Sequence, residues 1–225
     1  MPTLHVLRVF TDESAEWGNP LGVFLDGAAV PEARRQAVAA NLGFSETVYV
    51  DDAAAARVRI FTPADELPFA GHPLVGTSWL LTSTGAAATQ LRPPAGVVDT
   101  WSDGDQTWIR ARADWGPDWE LIELDDPRTV AAMREPTGPE HDHVVYLSWV
   151  DAHNGIVRAR AFDSLMGIAE DEATGSAALL LAVQLGRAIE IWQGNGSLLY
   201  ARPVADGVGE VGGRVALVET RDHAG

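Results

Sequence analysis

The stretch "LPFAGHPLVGTSWLLTSTG", residues 67–85, decides how this sequence folds. Small residues lead into His72 and Pro73, and proline is favoured at the first helical position, so His72 is the expected N-cap. The helix that follows carries Leu74, Val75, Trp79, Leu80 and Leu81, has no charge on any face, and stops at Gly85. A helix that is apolar all round is a buried one. A second segment, "AEDEATGSAALLLAVQLGR" at residues 169–187, has the same design. Its loop Thr174-Gly175-Ser176 launches a charge-free helix from about Ser176 to Leu185, with Gly186 as the stop. Laying Ala70-Gly71-His72-Pro73 over Ala173-Thr174-Gly175-Ser176 gives two similar units. Each is a small-residue loop, then a buried helix, then strands, which predicts an α/β fold of two related halves, each wrapping sheet around one central helix.

The rest of the chain supplies the strands. "LHVLRVFT" (4–11) and "LGVFLDG" (21–27) flank the turn residues Gly18, Asn19 and Pro20. Pro31 opens a helix through about Leu42, stopped by Gly43, and "ARVRIFTP" (56–63) alternates as a strand. "VVDTW" (97–101) and "TWIRARA" (107–113) continue the pattern. Residues 113 to about 145 hold Pro117, Pro127, Pro136, Gly138 and Pro139 and read as a connecting region with one short helix near residues 130–133. "HVVYLSWV", "GIVRARAF", "AIEIWQG", "LLYARPV" and "VALVET" then read as strands. The division expected is 1–112 and 113–225, with a last strand near 213–220 that could return to the first domain.

Composition prunes the chemistry. The 225 residues carry a net charge of −16, which argues against nucleic acid as a partner. There is no cysteine, so thiolate nucleophiles and Cys-ligated metals are excluded. All 16 basic residues are arginines, which excludes lysine Schiff bases and a Walker-type phosphate loop. The longest apolar run, "AALLLAV" at 177–183, is far short of the roughly 20 residues that span a bilayer. With no long apolar stretch in "MPTLHVLRVFTDE", which meets Asp12 and Glu13 early, no membrane association and a cytoplasmic location are expected. Catalysis, if any, must run on carboxylates, histidines, hydroxyls or backbone dipoles.

Three proton-handling candidates stand out. In "NLGFSETVYV" (41–50) Glu46 shares a strand face with Val48 and Val50, so a carboxylate points the way those valines point. The plain alternative is a strand-end surface residue. His72 is suited to proton transfer by its ordinary pKa, or is only a cap. Asp171 lies four residues ahead of Gly175, or belongs to an exposed "EDE" run. Gly71 and Gly175 either let an anion approach two helix N-termini or only permit tight turns. His141, Asp142 and His143 form a weak metal alternative. "GNGS" (194–197) reads as a hairpin turn. Trp108, Trp115 and Trp119 suit core and rim packing, or a lid or dimer surface.

Together "GNPLGVFL", "NLGFSETVYV", "RIFTPADELPFAGHPLVGT" and "EDEATGSAA" resemble the phenazine-biosynthesis isomerase-like (PhzF-like) family, which has the diaminopimelate epimerase fold. The resemblance implies two similar domains, each a curled, mostly antiparallel sheet around a central apolar helix, with the site in the cleft between them. It implies that Glu46 moves a proton on the substrate, that His72 and Asp171 assist, and that Ser45, Gly71, Gly175 and Ser176 line the substrate site. The epimerase cousins use two cysteines, so a two-thiol racemase is excluded here. The resemblance thus implies a cofactor-independent isomerase of a small carboxylate-bearing metabolite, needing no metal, in a homodimer. The competing expectation is a non-catalytic small-acid-binding or dimeric interaction protein of the same fold. The chain also departs from the family. It is shorter between about 113 and 160, and its segment after "QG" is reduced to "QGNGSLLYARP". Glu172 replaces a proline beside Asp171, which is expected to add charge and loop freedom.

Overall fold

A computed structural model describes residues 1–136, 141, 143–163 and 167–223. β1 (Thr3–Thr11) and β2 (Asn19–Phe24) pair antiparallel, and helix α1 (Glu32–Leu42) carries the chain back so that β3 (Glu46–Asp52) lies parallel to β2. Gly43 ends α1 with φ 66°, the left-handed conformation that costs glycine nothing. β4 (Arg57–Phe61) and β5 (Glu66–Leu67) complete this side, and α2 (Gly71–Ser83) then leads to β6 (Gln90–Leu91), β7 (Val98–Asp103) and β8 (Gln106–Arg112). The second side comprises β9 (Glu120–Glu123), α3 (Pro127–Ala132), β10 (Val144–Asp151), β11 (Ile156–Asp163) and β12 (Ile168–Asp171). α4 (Gly175–Leu185), β13 (Ile189–Gln193), β14 (Ser197–Ala205) and β15 (Val208–Asp222) follow.

One strand joins the two sides. Residues 208–213 of β15 run between β8 and β14, and residues 214–222 lie along β1. The sheet therefore reads β5-β4-β3-β2-β1-β15-β14-β13-β11-β10-β9, with β8, β7 and β6 branching from β15. α2 packs against β1, β2, β3, β7, β8 and β15, and α4 against β14 and β15, so each apolar helix has a concave sheet face around it. A continuous core runs through both, from Leu7, Val48 and Ile109 around Leu74, Val75 and Leu81 to Leu179, Ile191 and Leu199. Burying each such side chain stabilises the fold by roughly 1.5–3 kcal/mol. α1 covers the other face of β1–β3, where Tyr49 stacks on Phe24 with ring centroids 5.2 Å apart. β3 is thus buried on both faces, with Val48 and Val50 toward α2 and Tyr49 toward α1.

Several sequence expectations shift. α2 starts two residues early: Ala70 is its N-cap, and His72 lies inside the first turn with Pro73 after it. The first turn has no intrahelical N–H bonds, so proline fits at any of its positions and does not fix the register. α4 likewise starts at Gly175, with Thr174 at the cap position. The short helix spans Pro127–Ala132, not 130–133, because Asp126 caps it by accepting from the Arg128 amide and Pro127 opens it. Within the 113–145 region β9 pairs parallel to β10. No helix among the described residues is long and apolar enough to cross a membrane.

Candidate active site

The two central helices meet head to head. A Cβ built on Gly71 would lie 2.7 Å from Gly175 Cα, and one on Gly175 would lie 2.9 Å from Gly71 Cα. Only glycine at both positions lets the backbones come this close. Neither N-cap residue, Ala70 or Thr174, makes a side-chain capping bond. The first-turn N–H groups and the positive dipole ends of both helices therefore converge on the space beside this contact.

Glu46, His72 and Asp171 all line that space, together with Gly71, Gly175 and Ser176. Glu46 begins β3 and turns toward α2 as Val48 and Val50 do; it is buried, with Oε2 3.0 Å from Nε2 of the buried His72. Asp171 ends β12, and its Oδ2 accepts from Thr174 Oγ1 at 2.7 Å. Gln193 donates to the Asp171 carbonyl at 2.8 Å and to Thr174 Oγ1 at 2.7 Å, and accepts from the Thr174 amide at 3.1 Å, which braces the loop into α4. Asn19 bridges the two sides: its amide nitrogen donates to Asp171 Oδ1 and the Ala173 carbonyl, and its oxygen accepts from Ser45 Oγ at 2.6 Å. Ser45 thus reaches the cluster through Asn19.

Burial is the main force on Asp171, and with the Glu46 charge it pushes the carboxyl up to about 6, against the opposing effects of His72, Thr174 and Asn19. Burial alone would lower His72, but the charge and hydrogen bond of Glu46 and the charge of Asp171 raise it above its ordinary value. Asp171 and His72, both raised above their ordinary values, share one enclosed site with Glu46, an arrangement suited to general acid–base chemistry. As it stands the cleft leaves about 20 Å³ of room, the space of one water, so a metabolite enters only when it widens.

Other residues of the site gave weaker signals or none. Asn19 and Thr174 lie in "GNPLGVFL" and "EDEATGSAA" without standing out by residue type, and nothing in the sequence marks Gln193. Trp119 also lines the cleft, donates from Nε1 to Ser176 Oγ at 3.0 Å, and lies against the His143 ring. His143 Nε2 is in turn 3.0 Å from Oδ1 of Asp163, a buried carboxylate on the cleft wall. The three tryptophans do not form one surface: Trp108 stacks on Trp101, Trp115 packs edge-on to Phe69, and Trp119 is in the cleft. His141 faces the Tyr146 hydroxyl at 2.8 Å, Asp142 lies outside the described residues, and no group of three metal-ligating side chains occurs among those described. Glu172 is not a source of loop freedom. Its carboxylate accepts from the Asn195 amide (2.8 Å), Asn195 Nδ2 (2.8 Å) and Ser197 Oγ (2.9 Å), so hydrogen bonds restrain the backbone beside Asp171.

The phenazine biosynthesis-like protein family matches residues 7–129. The trans-2,3-dihydro-3-hydroxyanthranilate isomerase of Pseudomonas aeruginosa is 31% identical over 271 residues, covering 95% of this chain and 93% of that one. A PhzF-family phenazine biosynthesis protein of Bacillus anthracis superposes with a TM-score of 0.79 at 18% identity, covering 98% of both chains. A hydroxyproline epimerase of Agrobacterium vitis superposes at 0.64 with 12% identity over 98% of this chain and 91% of its own, which places the architecture in the diaminopimelate epimerase-like fold. The chain is an isomerase that belongs to the phenazine biosynthesis-like (PhzF-like) protein family.

Proposed function

We propose that the chain moves a proton within a small carboxylate-bearing metabolite without a cofactor, and that Glu46 takes the proton and returns it. The observation that carries this reading is the Glu46–His72 pair, 3.0 Å apart and buried, facing the same cleft as Asp171. The Glu46 carboxylate takes a proton from a carbon acidified by neighbouring unsaturation or a carbonyl; the C–H electron pair delocalises into the substrate. Glu46 then delivers the proton to another carbon of the same molecule, so nothing is gained or lost overall. His72, with Nε2 3.0 Å from the carboxylate, steadies it, and Asp171 adjusts the charge on His72. The helix N-termini hold the substrate carboxylate, Ser176 completes the wall, and Ser45 supports it from behind through Asn19. The family's usual dimer is the assembly we expect.

The test uses trans-2,3-dihydro-3-hydroxyanthranilate, the compound that names the Pseudomonas relatives, incubated in heavy water and followed by mass spectrometry. The wild type is expected to convert it with deuterium uptake at one carbon. A positioned acid–base group contributes about 10²–10⁴-fold, so Glu46→Gln should lower turnover by that range while ligand binding persists. Full turnover in Glu46→Gln would exclude Glu46 as the proton carrier. Binding by the wild type without turnover or exchange would favour a non-catalytic acid-binding protein.

A further inference from the structure

Asn19 is fully buried at the centre of the polar cluster, and its surroundings fix which way its amide faces. Nδ2 points at Asp171 Oδ1 and, at 3.1 Å, at the Ala173 carbonyl, neither of which donates when Asp171 is ionised. Oδ1 accepts from Ser45 Oγ at 2.6 Å. Turning the amide over would set its oxygen against a carboxylate and a carbonyl, so the orientation is determined. The same Nδ2 stands 3.3 Å from Nδ1 of His72. An amide nitrogen donates and does not accept; its two hydrogens are shared among three neighbours, and a proton on Nδ1 would face this donor with no acceptor, so the contact favours the lone pair on Nδ1 in the neutral imidazole. The ring's single proton then sits on Nε2, against Glu46.

We propose that Asn19 is a positioning residue for the proton transfer, one that holds neutral His72 as the Nε2–H tautomer, with its proton on the nitrogen 3.0 Å from Glu46 Oε2, and keeps a second proton off Nδ1. The inference rests on the proposed reading of Glu46 as proton carrier only for its catalytic consequence. Charged neighbours pull the other way. Glu46 from β3 and Asp171 from β12 face His72, Asp163 at the end of β11 lines the same cleft, and neither α2 nor α4 carries a charged side chain besides His72 itself. Glu46 and Asp171 favour an imidazolium, while Asp163 lies against His143, and the N–H of Asn19 opposes a second proton because a proton on Nδ1 would meet another donor. Without Asn19 the ring could protonate on the wrong side and turn its bond toward Asp171.

Nitrogen-15 NMR of the ring tests this without reference to turnover, with the His72 signals assigned by their loss in His72→Gln. The wild type is expected to show Nδ1 unprotonated in the neutral form. Asn19→Asp supplies an acceptor carboxylate at Nδ1, and an opposite charge at such range moves a pKa by about one to three pH units. His72 should therefore titrate higher by about that amount, and the matching limb of the pH–rate profile should move with it. If Asn19→Asp does not fold, Ser45→Ala, which unseats the amide oxygen, should reveal a fraction protonated at Nδ1. A wild-type neutral ring protonated at Nδ1, an Asn19→Asp protein titrating like wild type, or a Ser45→Ala ring still wholly Nε2–H would each overturn the proposal. A normal turnover in Glu46→Gln alongside the expected ring signals would instead sink the reading of Glu46 and leave the placement of the proton by Asn19 intact.

Discussion

Gly71→Ala tests the head-to-head contact on which the site is built. The new Cβ would lie 2.7 Å from both Gly175 Cα and its carbonyl carbon, and 2.9 Å from the Ser176 amide nitrogen. All three are backbone atoms, so no flexible side chain can step aside. Ordinary contact begins near 3.4 Å, so the helix ends must part by about 0.7 Å. Overpacking of this kind costs about 1–3 kcal/mol, against which alanine returns about 0.5–1 kcal/mol by restricting the unfolded chain. The net loss is up to about 2.5 kcal/mol, which at roughly 2–4 °C per kcal/mol for a chain of this size lowers Tm by up to roughly 10 °C. The effect on turnover should be larger than the effect on stability. Misplacing reacting groups by about 1 Å can cost about 10²-fold, so a loss of about tenfold or more is expected. Thermal unfolding and the deuterium assay measure both. Gly71→Ala with Gly175→Ala should cost less than the two singly, because the first substitution has already opened the gap. A Gly71→Ala protein with wild-type Tm and wild-type turnover would show that the helices do not abut in solution.

The same geometry sets further outcomes for pH and for the loop beside Asp171. Asp171 is held at about 6 in the folded protein against an ordinary 3.8, so between those values the folded state binds more protons than the unfolded one. Stability should therefore fall as pH rises through that window, by about 3 kcal/mol at about 1.4 kcal/mol per pH unit, and Asp171→Asn should flatten the slope in urea titrations run across it. His72 acts in the same direction: its raised pKa stabilises the fold below 6.5, and that contribution is lost as pH climbs through its folded value. Glu172→Ala removes the acceptor for Asn195 and Ser197 and should cost about 1–3 kcal/mol in urea denaturation. It should also lower turnover by freeing the loop at Asp171; unchanged stability would show that those three bonds contribute nothing net.

The central helices were legible because nothing but burial explains a charge-free helical run, and Glu46 because strand periodicity ties it to Val48 and Val50. What failed to show was information stored in close approach. β15 reads as a strand only around "VALVET", because Gly209, Gly212 and Gly213 look like strand breakers. In the structure it runs 15 residues, and a Cβ on Gly212 would meet the Trp108 ring at 2.3 Å and one on Gly213 the Phe10 ring at 2.6 Å. Glycine inside a strand here marks a packed aromatic, not a turn. Asn19 was visible as a turn residue, but its partners lie 53 and 152 positions away, so its role depends on a tertiary arrangement that no local pattern carries. Trp119 and His143 fall in a proline-rich segment with no periodicity to assign a face.

The charges in the cleft are arranged so that the helix ends are not neutralised from within. Two dipoles meeting at their positive ends repel, and a buried carboxylate bonded to those amides would relieve this and be held below its ordinary range. Asp171 is in the right place to do so, yet it is pushed up to about 6. Burial and the Glu46 charge raise it, and the bonds its oxygens do make, Oδ1 with Asn19 and Oδ2 with Thr174, oppose that rise without overcoming it. Glu46 Oε2 likewise lies beside His72, 3.0 Å from its Nε2, rather than on the helix amides. On the proposed reading the protein's own carboxylates are thus left for proton exchange with His72 and the substrate. The field of the two helix ends is directed into the cleft, where a negative charge arriving with a substrate, or developing on it as its proton leaves, would be stabilised. That separation of roles is the physical reason for reading the site as acid–base machinery and not as a pair of structural ion pairs.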